Sequence, residues 1–152
     1  MKLDGCFSHN TDNWKTPSEL MKALLDLGWI DTFPFMSRYD ELQKNYNNQK
    51  LFVNPPYSQM RLVVGWIEDQ IKRGNQILLL IPARTDTKYF HRLLWWNPTI
   101  FFIEGRLKFN DVNSSAPFPS IIMWLDNKFK FPLYCSVTLD KFIKNLKIGE
   151  KK

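Results

Sequence analysis

The 152-residue chain is predicted to fold as a single α/β domain with a mostly parallel sheet. Segments with helical and with strand periodicity alternate along the sequence. The stretch from Gln76 to Ile81 is apolar almost throughout, as expected for a central strand covered on both faces. No repeat or interdomain linker interrupts the chain, so residues 1–152 are expected to form one domain. Its core covers about 14–137, and a basic terminal helix covers about 138–149.

The first predicted helix begins at Thr16. This residue is placed at the N-cap, Pro17 at the first helical position and Glu19 at the third, which completes a capping box. Apolar residues at helical spacing follow, and Gly28 ends the pattern. The sequence therefore predicts a helix of about three turns whose first orphan amides are capped locally.

A short strand is predicted next, over residues 29–35, with Asp31 inside it. From 36 to 50 the pattern fades into a polar, Asn-rich loop that contains Asp40. Residues 51–53 then form a brief apolar strand that leads directly into two prolines. The span 36–50 leaves little room for further strands, so the predicted sheet is small.

The rest of the chain continues the alternation of helix and strand. Helices are predicted at about 59–73, 87–96 and 139–148, and strands at 76–81, 99–104, 119–125 and 131–137, the last at a sheet edge. Ligands of parallel α/β sheets bind beyond the carboxyl ends of the strands. Asp31, Asn54 and Arg84 all end or follow predicted strands, so we expect them to converge on one crevice.

Composition restricts the class of protein. Hydrophobic content of 44% with charged content of 24% excludes a disordered chain. No apolar run reaches the roughly 20 residues that span a bilayer, and the start lacks a signal core, so we expect a cytoplasmic protein without a membrane partner. Cys6 and Cys135 match no metal or redox spacing and are expected to be free thiols, with no metal site. The net charge of +6 favours an acidic polymer as partner, although part of it lies in the lysine-rich tail.

The segment Asn54-Pro55-Pro56-Tyr57 carries the strongest chemical signal. Two prolines force extended backbone before each of them and remove two donors, so nearby carbonyls stay free to accept hydrogen bonds. A planar –NH2 group that donates to the Asn54 oxygen and to the Pro55 carbonyl would have its lone pair turned out of conjugation. Tyr57 could then stack on the attached ring. The alternative is a strand-ending turn without further role.

Such a grip suits methyl transfer to an amino group. The exocyclic nitrogen of adenine or cytosine is a weak nucleophile, and positioning alone can remove roughly 7–11 kcal/mol of barrier in the best-oriented cases. No ionisable base or covalent intermediate is required. Acceptors compatible with this grip are adenine N6 in DNA, an RNA base, cytosine N4 and a glutamine amide of a protein. A binding domain without catalysis stays open as a further interpretation.

The ordered motifs of the chain resemble those of the phage-type DNA N6-adenine methyltransferases, the phage Dam family. The resemblance covers roughly residues 14–125. Its blocks are Trp14-x-Thr16-Pro17, Asn54-Pro55-Pro56-Tyr57, Pro82-Ala83-Arg84-Thr85-Asp86-Thr87 with Phe90-His91, Gly105-Arg106-Leu107-Lys108-Phe109, and Ala116-Pro117-Phe118-Pro119-Ser120. It implies a Rossmann-like methyltransferase fold, here reduced in size, with S-adenosylmethionine as cofactor, and methylation of adenine N6 in DNA in a bacterial or phage-infected cell.

The resemblance also implies roles for single residues. Trp14, Thr16 and Pro17 correspond to the cofactor segment, Asp31 to the carboxylate for the cofactor's amino acid or ribose, and Asp40 to the residue at its adenine edge. Three of these residues have a plainer interpretation, since Trp14 suits the core, Thr16 an N-cap and Asp40 a solvated surface. The missing glycine-rich turn after Asp31 departs from many methyltransferases and leaves weak cofactor binding, a second subunit or lost activity open.

Contacts with DNA are expected from basic residues that flank the crevice. The candidates are Arg61, Arg84, Lys88, Arg106 and Lys108. An ordinary charged surface is the alternative, and Arg84 with Asp86 would equally suit an internal ion pair. Phe109, Phe118 and Trp124 are assigned to core packing. The pair Trp95-Trp96 at a helix end is a candidate homodimer interface.

Overall fold

A computed structural model describes residues 14–34, 39–111, 113–128 and 133–149. In these residues six strands form one sheet, and four α-helices flank it. The strands are β1 Ile30–Asp31, β2 Lys50–Val53, β3 Gln76–Pro82, β4 Thr99–Ile103, β5 Ser120–Leu125 and β6 Leu133–Val137. The helices are α1 Ser18–Asp26, α2 Met60–Lys72, α3 Lys88–Leu94 and α4 Leu139–Gly149. The predicted mixed α/β class is confirmed.

The strand order in the sheet is β1-β2-β3-β5-β4-β6. Strands β1, β2 and β3 pair in parallel, β6 pairs in parallel with β4, and β5 runs against both of its neighbours. The prediction that Gln76 to Ile81 lies in a parallel sheet therefore holds toward β2 and is wrong toward β5. Within the described residues β6 is an outer strand, as the sequence predicted.

Alternating residues of the central strands divide the core into two layers. Ile77, Leu79 and Ile81 of β3 pack with α2 and α3 on one face of the sheet. Leu78 and Leu80 point to the other face, where α1 and α4 cover them. All five side chains have no exposed surface. Burial of each aliphatic side chain stabilises the fold by roughly 1.5–3 kcal/mol, so β3 is its main anchor.

Strand β1 is shorter than the strand predicted at 29–35, of which residue 35 lies outside the described residues. Only Ile30–Asp31 pairs with β2, and the chain then bends at Thr32 and Phe33. The Asp31 carboxylate accepts a hydrogen bond from the Phe33 amide at 3.3 Å, which closes a local turn. Pro34 follows and cannot donate to a ladder. The apolar pattern overestimates the length of the strand because this turn depends on one side chain.

The segment predicted as a polar loop contains a 3-10 helix at Tyr39–Gln43. The Asn-rich part that follows is held against the end of α2 by polar contacts. Asn75 donates to the Tyr46 carbonyl at 2.8 Å and accepts from the Gln49 amide at 2.8 Å. Gly74 lies beside this loop at a φ of 82°, and a Cβ there would come within 2.4 Å of the Asn48 side chain. Glycine is therefore required to end α2 at this position.

The carboxyl ends of β1, β2, β3 and β4 lie at one edge of the sheet, where β5 begins. The sequence predicts a ligand crevice at this edge. No helix in the described ranges is long and apolar enough to cross a bilayer. Cys135 is exposed with a free thiol, whereas Cys6 lies outside the described residues. Trp95 is 86% exposed at the end of α3. Its role in a dimer stays a prediction.

Candidate active site

The site is built at the end of β2, where the strand changes abruptly into a helix. Leu51, Phe52 and Val53 are buried, and Asn54 continues the chain past the last pairing with β3. The two prolines that follow stop the strand because they lack amide donors. The chain then turns through a 3-10 helix at Tyr57–Gln59 directly into α2. A rigid corner therefore holds Asn54 at the carboxyl edge of the sheet.

The side chain of Asn54 makes three hydrogen bonds. Its Nδ2 donates to the Trp14 carbonyl at 2.6 Å and to the Thr16 Oγ1 at 3.0 Å. Its Oδ1 accepts from the Tyr57 hydroxyl at 2.9 Å. A backbone carbonyl can only accept, so the Trp14 contact decides which end of the amide is nitrogen. The oxygen faces the Tyr57 side of the corner with one acceptor position left, and the residue is 9% exposed.

The two prolines differ in their carbonyls. The Pro56 carbonyl accepts a hydrogen bond from the Gln59 amide at 3.0 Å, which starts the 3-10 helix. No donor to the Pro55 carbonyl occurs among the described residues. Pro55 is buried and Pro56 is half-buried. The corner thus presents two acceptors on neighbouring residues, the Asn54 side-chain oxygen and the Pro55 carbonyl.

An aromatic cluster lies beside the corner. The Tyr57 and Phe118 rings are nearly perpendicular, with ring centroids 5.7 Å apart. The ring centroids of Phe118 and Trp14 are 5.1 Å apart, and those of Trp14 and Phe109 are 5.6 Å apart. Phe109 is buried, as the core assignment expected, but Phe118 is only half-buried. Sequence reasoning missed that Phe118 reaches the motif, because no pattern links two residues 61 positions apart.

Thr16 does not cap α1, so the predicted capping box is wrong. The helix begins at Ser18, and its N-cap residue Pro17, which is buried, offers no side-chain bond. The buried Thr16 hydroxyl bonds Asn54 instead, and the Ser18 amide is capped by Asp111 Oδ1 at 3.0 Å. Tertiary partners have replaced the local cap.

The turn that carries this cap also holds Lys15. Asn110 Oδ1 accepts from the Lys15 amide at 2.7 Å, and the Asn110 amide donates to the Lys15 carbonyl at 2.9 Å. Asn110 and Asp111 both adopt positive φ, at 60° and 52°. Asn and Asp tolerate this conformation better than other residues with a Cβ. Residues on both sides of Thr16 are therefore anchored by one turn from far along the chain.

The acidic candidates occupy different environments. Asp31 lies at the end of β1 and pairs with Phe52 of β2. Phe52 in turn precedes Asn54 by two residues. Burial raises the pKa of Asp31, the bond from the Phe33 amide opposes this, and the charge of Glu41 adds to the rise. Asp40 is exposed. The carboxylate that acts on Asp31 from the 3-10 helix is thus Glu41, which no sequence motif indicated. Its Oε2 pairs with Lys44 Nζ at 2.7 Å.

The family comparison bears on this corner. The family described as DNA N-6-adenine-methyltransferase (Dam) matches residues 6–139, which is most of the chain. The chain belongs to the Dam family. No curated protein matches the sequence. The resemblance drawn from the five motif blocks is thereby confirmed, and the matched residues contain the whole corner and its anchoring turn.

The five basic candidates of this Dam-family chain are all exposed. Arg84 follows β3, Lys88 opens α3, and Arg61 lies in the first turn of α2, so all three are near the carboxyl edge. Arg106 and Lys108 follow β4, and Arg106 reaches the Ala116 carbonyl at 3.5 Å.

The exposed acids Asp86 and Glu104 alternate with these cations. The Dam-family edge is therefore charged in both signs, with the cations in the majority among these seven side chains. In the ranges that the structure describes, no group of three or more His, Cys, Asp or Glu side chains could hold a metal ion.

Proposed function

We propose that this chain transfers a methyl group from S-adenosylmethionine to N6 of an adenine in DNA, and that the Asn54–Tyr57 corner performs the transfer. The observation that carries the proposal is the pair of acceptors in a Dam-family chain, Asn54 Oδ1 and the Pro55 carbonyl. They lie on adjacent residues of a corner stiffened by two prolines. One planar amino group has two hydrogens, which is the number that this pair accepts.

The corner acts by orienting the amino group. Hydrogen bonds from N6 to Asn54 and Pro55 would hold the nitrogen with its lone pair out of the base plane. Asn54 is largely buried, so these bonds form away from bulk water, where oriented dipoles act more strongly. S-adenosylmethionine supplies an electrophilic methyl group on sulfur. The nitrogen held by Asn54 and Pro55 would accept that methyl group, with the sulfur as leaving group, and would then lose one proton to solvent.

Aromatic residues are proposed to hold the base. In duplex DNA the adenine amino group is inside the stack, so the base must be flipped out at a cost of a few kcal/mol or met in a single strand. Tyr57 is half-buried and its ring is held by Asn54 and Phe118. Stacking on such a ring recovers about 1–3 kcal/mol per base. The exposed cations Arg61, Arg84, Lys88, Arg106 and Lys108 are then proposed to bind phosphates.

The residues near the corner suit the proposed methyl donor. Its amino group and sulfonium are cationic and its ribose carries hydroxyls. Asp31 lies one strand away from the corner, and both burial and the charge of Glu41 raise its pKa. A cationic or hydroxyl group bound there would stabilise this carboxylate. Trp14 is half-buried at the same corner and could offer its ring, whereas Asp40 is exposed.

The test is a methyl-transfer assay with labelled S-adenosylmethionine and duplex DNA, single-stranded DNA, RNA or protein as acceptor. We expect label in DNA, recovered as N6-methyladenine. Asn54→Ala should abolish turnover while the fold and donor binding persist. Asn47→Ala, at an exposed asparagine outside the site, is the matched control. Label in RNA, in cytosine or in protein would reassign the substrate, and no donor binding at millimolar concentration by calorimetry would indicate a non-catalytic relative.

A further inference from the structure

The orientation of the Asn54 amide depends on a residue from another part of the chain. Both Nδ2 hydrogens are used, one by the Trp14 carbonyl and one by the Thr16 hydroxyl. We propose that Thr16 is a positioning residue that fixes Asn54 with its oxygen toward the reacting amino group. The proposal rests on the proposed function, because it assigns a role in the same transfer step. Thr16 itself does not contact the reacting atoms in this assignment.

The chemical reason is the polarity of the amide. The amino group of the substrate donates hydrogen bonds, so only the oxygen of Asn54 can hold it. An amide rotated by 180° about Cβ–Cγ would present Nδ2, and two donors would then face each other. The Trp14 carbonyl opposes that rotation through one hydrogen bond at 2.6 Å. A second bond at 3.0 Å, made in a different direction, fixes the plane of the amide as well.

Water cannot readily replace the Thr16 hydroxyl. Thr16 is 6% exposed and Asn54 is 9% exposed, so the contact between them is largely dry. Removal of the hydroxyl would leave one Nδ2 hydrogen without an acceptor in a buried place. Rotation toward a new hydrogen-bond partner would lower the free energy of such an unsatisfied donor. The amide would therefore sample orientations that are wrong for the substrate.

Thr16 is itself held in place from both sides. The Lys15 amide and carbonyl bond Asn110, and the Ser18 amide bonds Asp111. These contacts also take over the capping of α1, which leaves the Thr16 hydroxyl free for Asn54. The turn at Phe109–Asp111 uses two residues at positive φ to reach this segment. A backbone conformation that is unusual for these residues thus supports the contact.

The experiment compares Thr16→Val with Thr16→Ser. Valine keeps the shape and removes the hydroxyl, whereas serine keeps the hydroxyl. We expect Thr16→Val to lower kcat by about 10- to 100-fold, the scale of a small misplacement, with the dissociation constants for donor and DNA changed by less than about 3-fold. Thr16→Ser should stay within about 3-fold of the unmodified protein in every constant. Equal kcat in Thr16→Val, or equal loss in both variants, would overturn the proposal.

A second measurement reads the amide directly and needs no substrate. Side-chain NH2 signals in a nitrogen-edited NMR spectrum, assigned by their loss in Asn54→Ala, report on the two hydrogens of Asn54. We expect both to exchange slowly with water, and one to lose protection in Thr16→Val and keep it in Thr16→Ser. Thr138→Val, which removes a hydroxyl that bonds the Lys141 amide on α4, is the matched control and should leave these signals unchanged.

The two measurements separate the proposals from each other. If the protein methylates no DNA but the Asn54 signals respond to Thr16→Val as expected, the proposed function fails and the assignment of Thr16 as the residue that orients Asn54 stands. If DNA is methylated but Thr16→Val changes neither the Asn54 signals nor kcat, the assignment of Thr16 fails and the proposed function stands. Should Thr16→Val fail to fold, Thr16→Ser still decides the matter, because loss of protection or of kcat in that variant contradicts the proposal.

Discussion

The hydroxyl of Tyr57 donates a hydrogen bond to the side-chain oxygen of Asn54, and the two oxygens are 2.9 Å apart. The residue proposed to stack on the base is thus bonded to the residue proposed to hold its amino group. A carbonyl-type oxygen has two lone pairs, so Asn54 can accept from Tyr57 and from a substrate at the same time. The bond also restrains the Tyr57 ring where it packs against Phe118.

Replacement of Tyr57 should separate stacking from hydrogen bonding. Tyr57→Ala removes the ring and should weaken binding of DNA with an extrahelical adenine by roughly 5- to 150-fold, the equivalent of one stacked base. Tyr57→Phe keeps the ring and should bind within about 3-fold of the unmodified protein. Fluorescence anisotropy on a duplex with a mismatched adenine measures both. Equal weakening in the two variants would mean that the hydroxyl, and not the ring, captures the base.

Asn54→Asp should be destabilising at neutral pH, although the two side chains have nearly the same shape. A carboxylate has no hydrogens for the Trp14 carbonyl or Thr16, so it would face a backbone oxygen at the 2.6 Å contact. We expect a loss of about 1–3 kcal/mol in the free energy of unfolding at pH 7.5. The site favours the neutral acid and raises its pKa, so the loss should shrink as pH falls toward 5. Urea unfolding at the two pH values measures this, and a loss that grows on acidification would contradict it.

Asp31→Asn should bind the methyl donor less well and yet be no less stable. Burial raises the pKa of Asp31 in the folded protein, so its charge opposes folding at pH values above that pKa. This penalty is absent at pH values below the pKa that Asp31 has in the unfolded state. Asparagine removes the charge and keeps an oxygen for the Phe33 amide. Calorimetry with S-adenosylmethionine and thermal unfolding at pH 7.5 measure the two effects. Asp40→Asn, at an exposed aspartate, should change both less. Unchanged donor affinity in Asp31→Asn would remove Asp31 from the cofactor site.

The cap on α1 should make stability depend on pH in the acid range. The bond from the Ser18 amide lowers the pKa of Asp111 in the folded protein. The ionised Asp111 therefore stabilises the fold fully at pH values above its unfolded-state pKa of about 3.9. This stabilisation is lost as the pH falls through the lower pKa of the folded state. Asp111→Asn keeps an acceptor oxygen and tolerates the positive φ, but it does not titrate. Its Tm should therefore fall less than that of the unmodified protein below about pH 4. Parallel curves for the two proteins would show that this cap adds nothing in solution.

Cations at the carboxyl edge should control the salt dependence of DNA binding. Lys88→Gln and Lys108→Gln each remove one proposed phosphate contact. Each should therefore reduce the magnitude of the negative slope of log K against log salt by about 1. Lys144→Gln, on the exposed side of α4, is the matched control and should leave the slope unchanged. Titrations at several salt concentrations measure this. Equal slopes in all three variants would show that Lys88 and Lys108 do not contact DNA phosphates.

Much of the fold could be read from the sequence because it depends on neighbours along the chain. The apolar run at Gln76–Pro82, the stop at Gly28 and the change from strand to helix after Asn54 all follow from local periodicity, glycine and proline. The motif Asn54-Pro55-Pro56-Tyr57 likewise defines a stiff corner with its own acceptors. Membership of the Dam family followed from the order of such local blocks.

Contacts across long separations could only be decided by the tertiary structure. Thr16 and Glu19 have the spacing of a capping box, yet the Thr16 hydroxyl bonds Asn54, which is 38 residues away. The cap comes instead from Asp111, 93 residues from the Ser18 amide. Isolated helix ends satisfy their amides locally, but a packed sheet edge offers buried partners whose loss would cost more. Sequence alone determined which groups are present at the corner, and folding decided which of them hold one another, since hydrogen bonds between distant segments exist only after the sheet has brought those segments together.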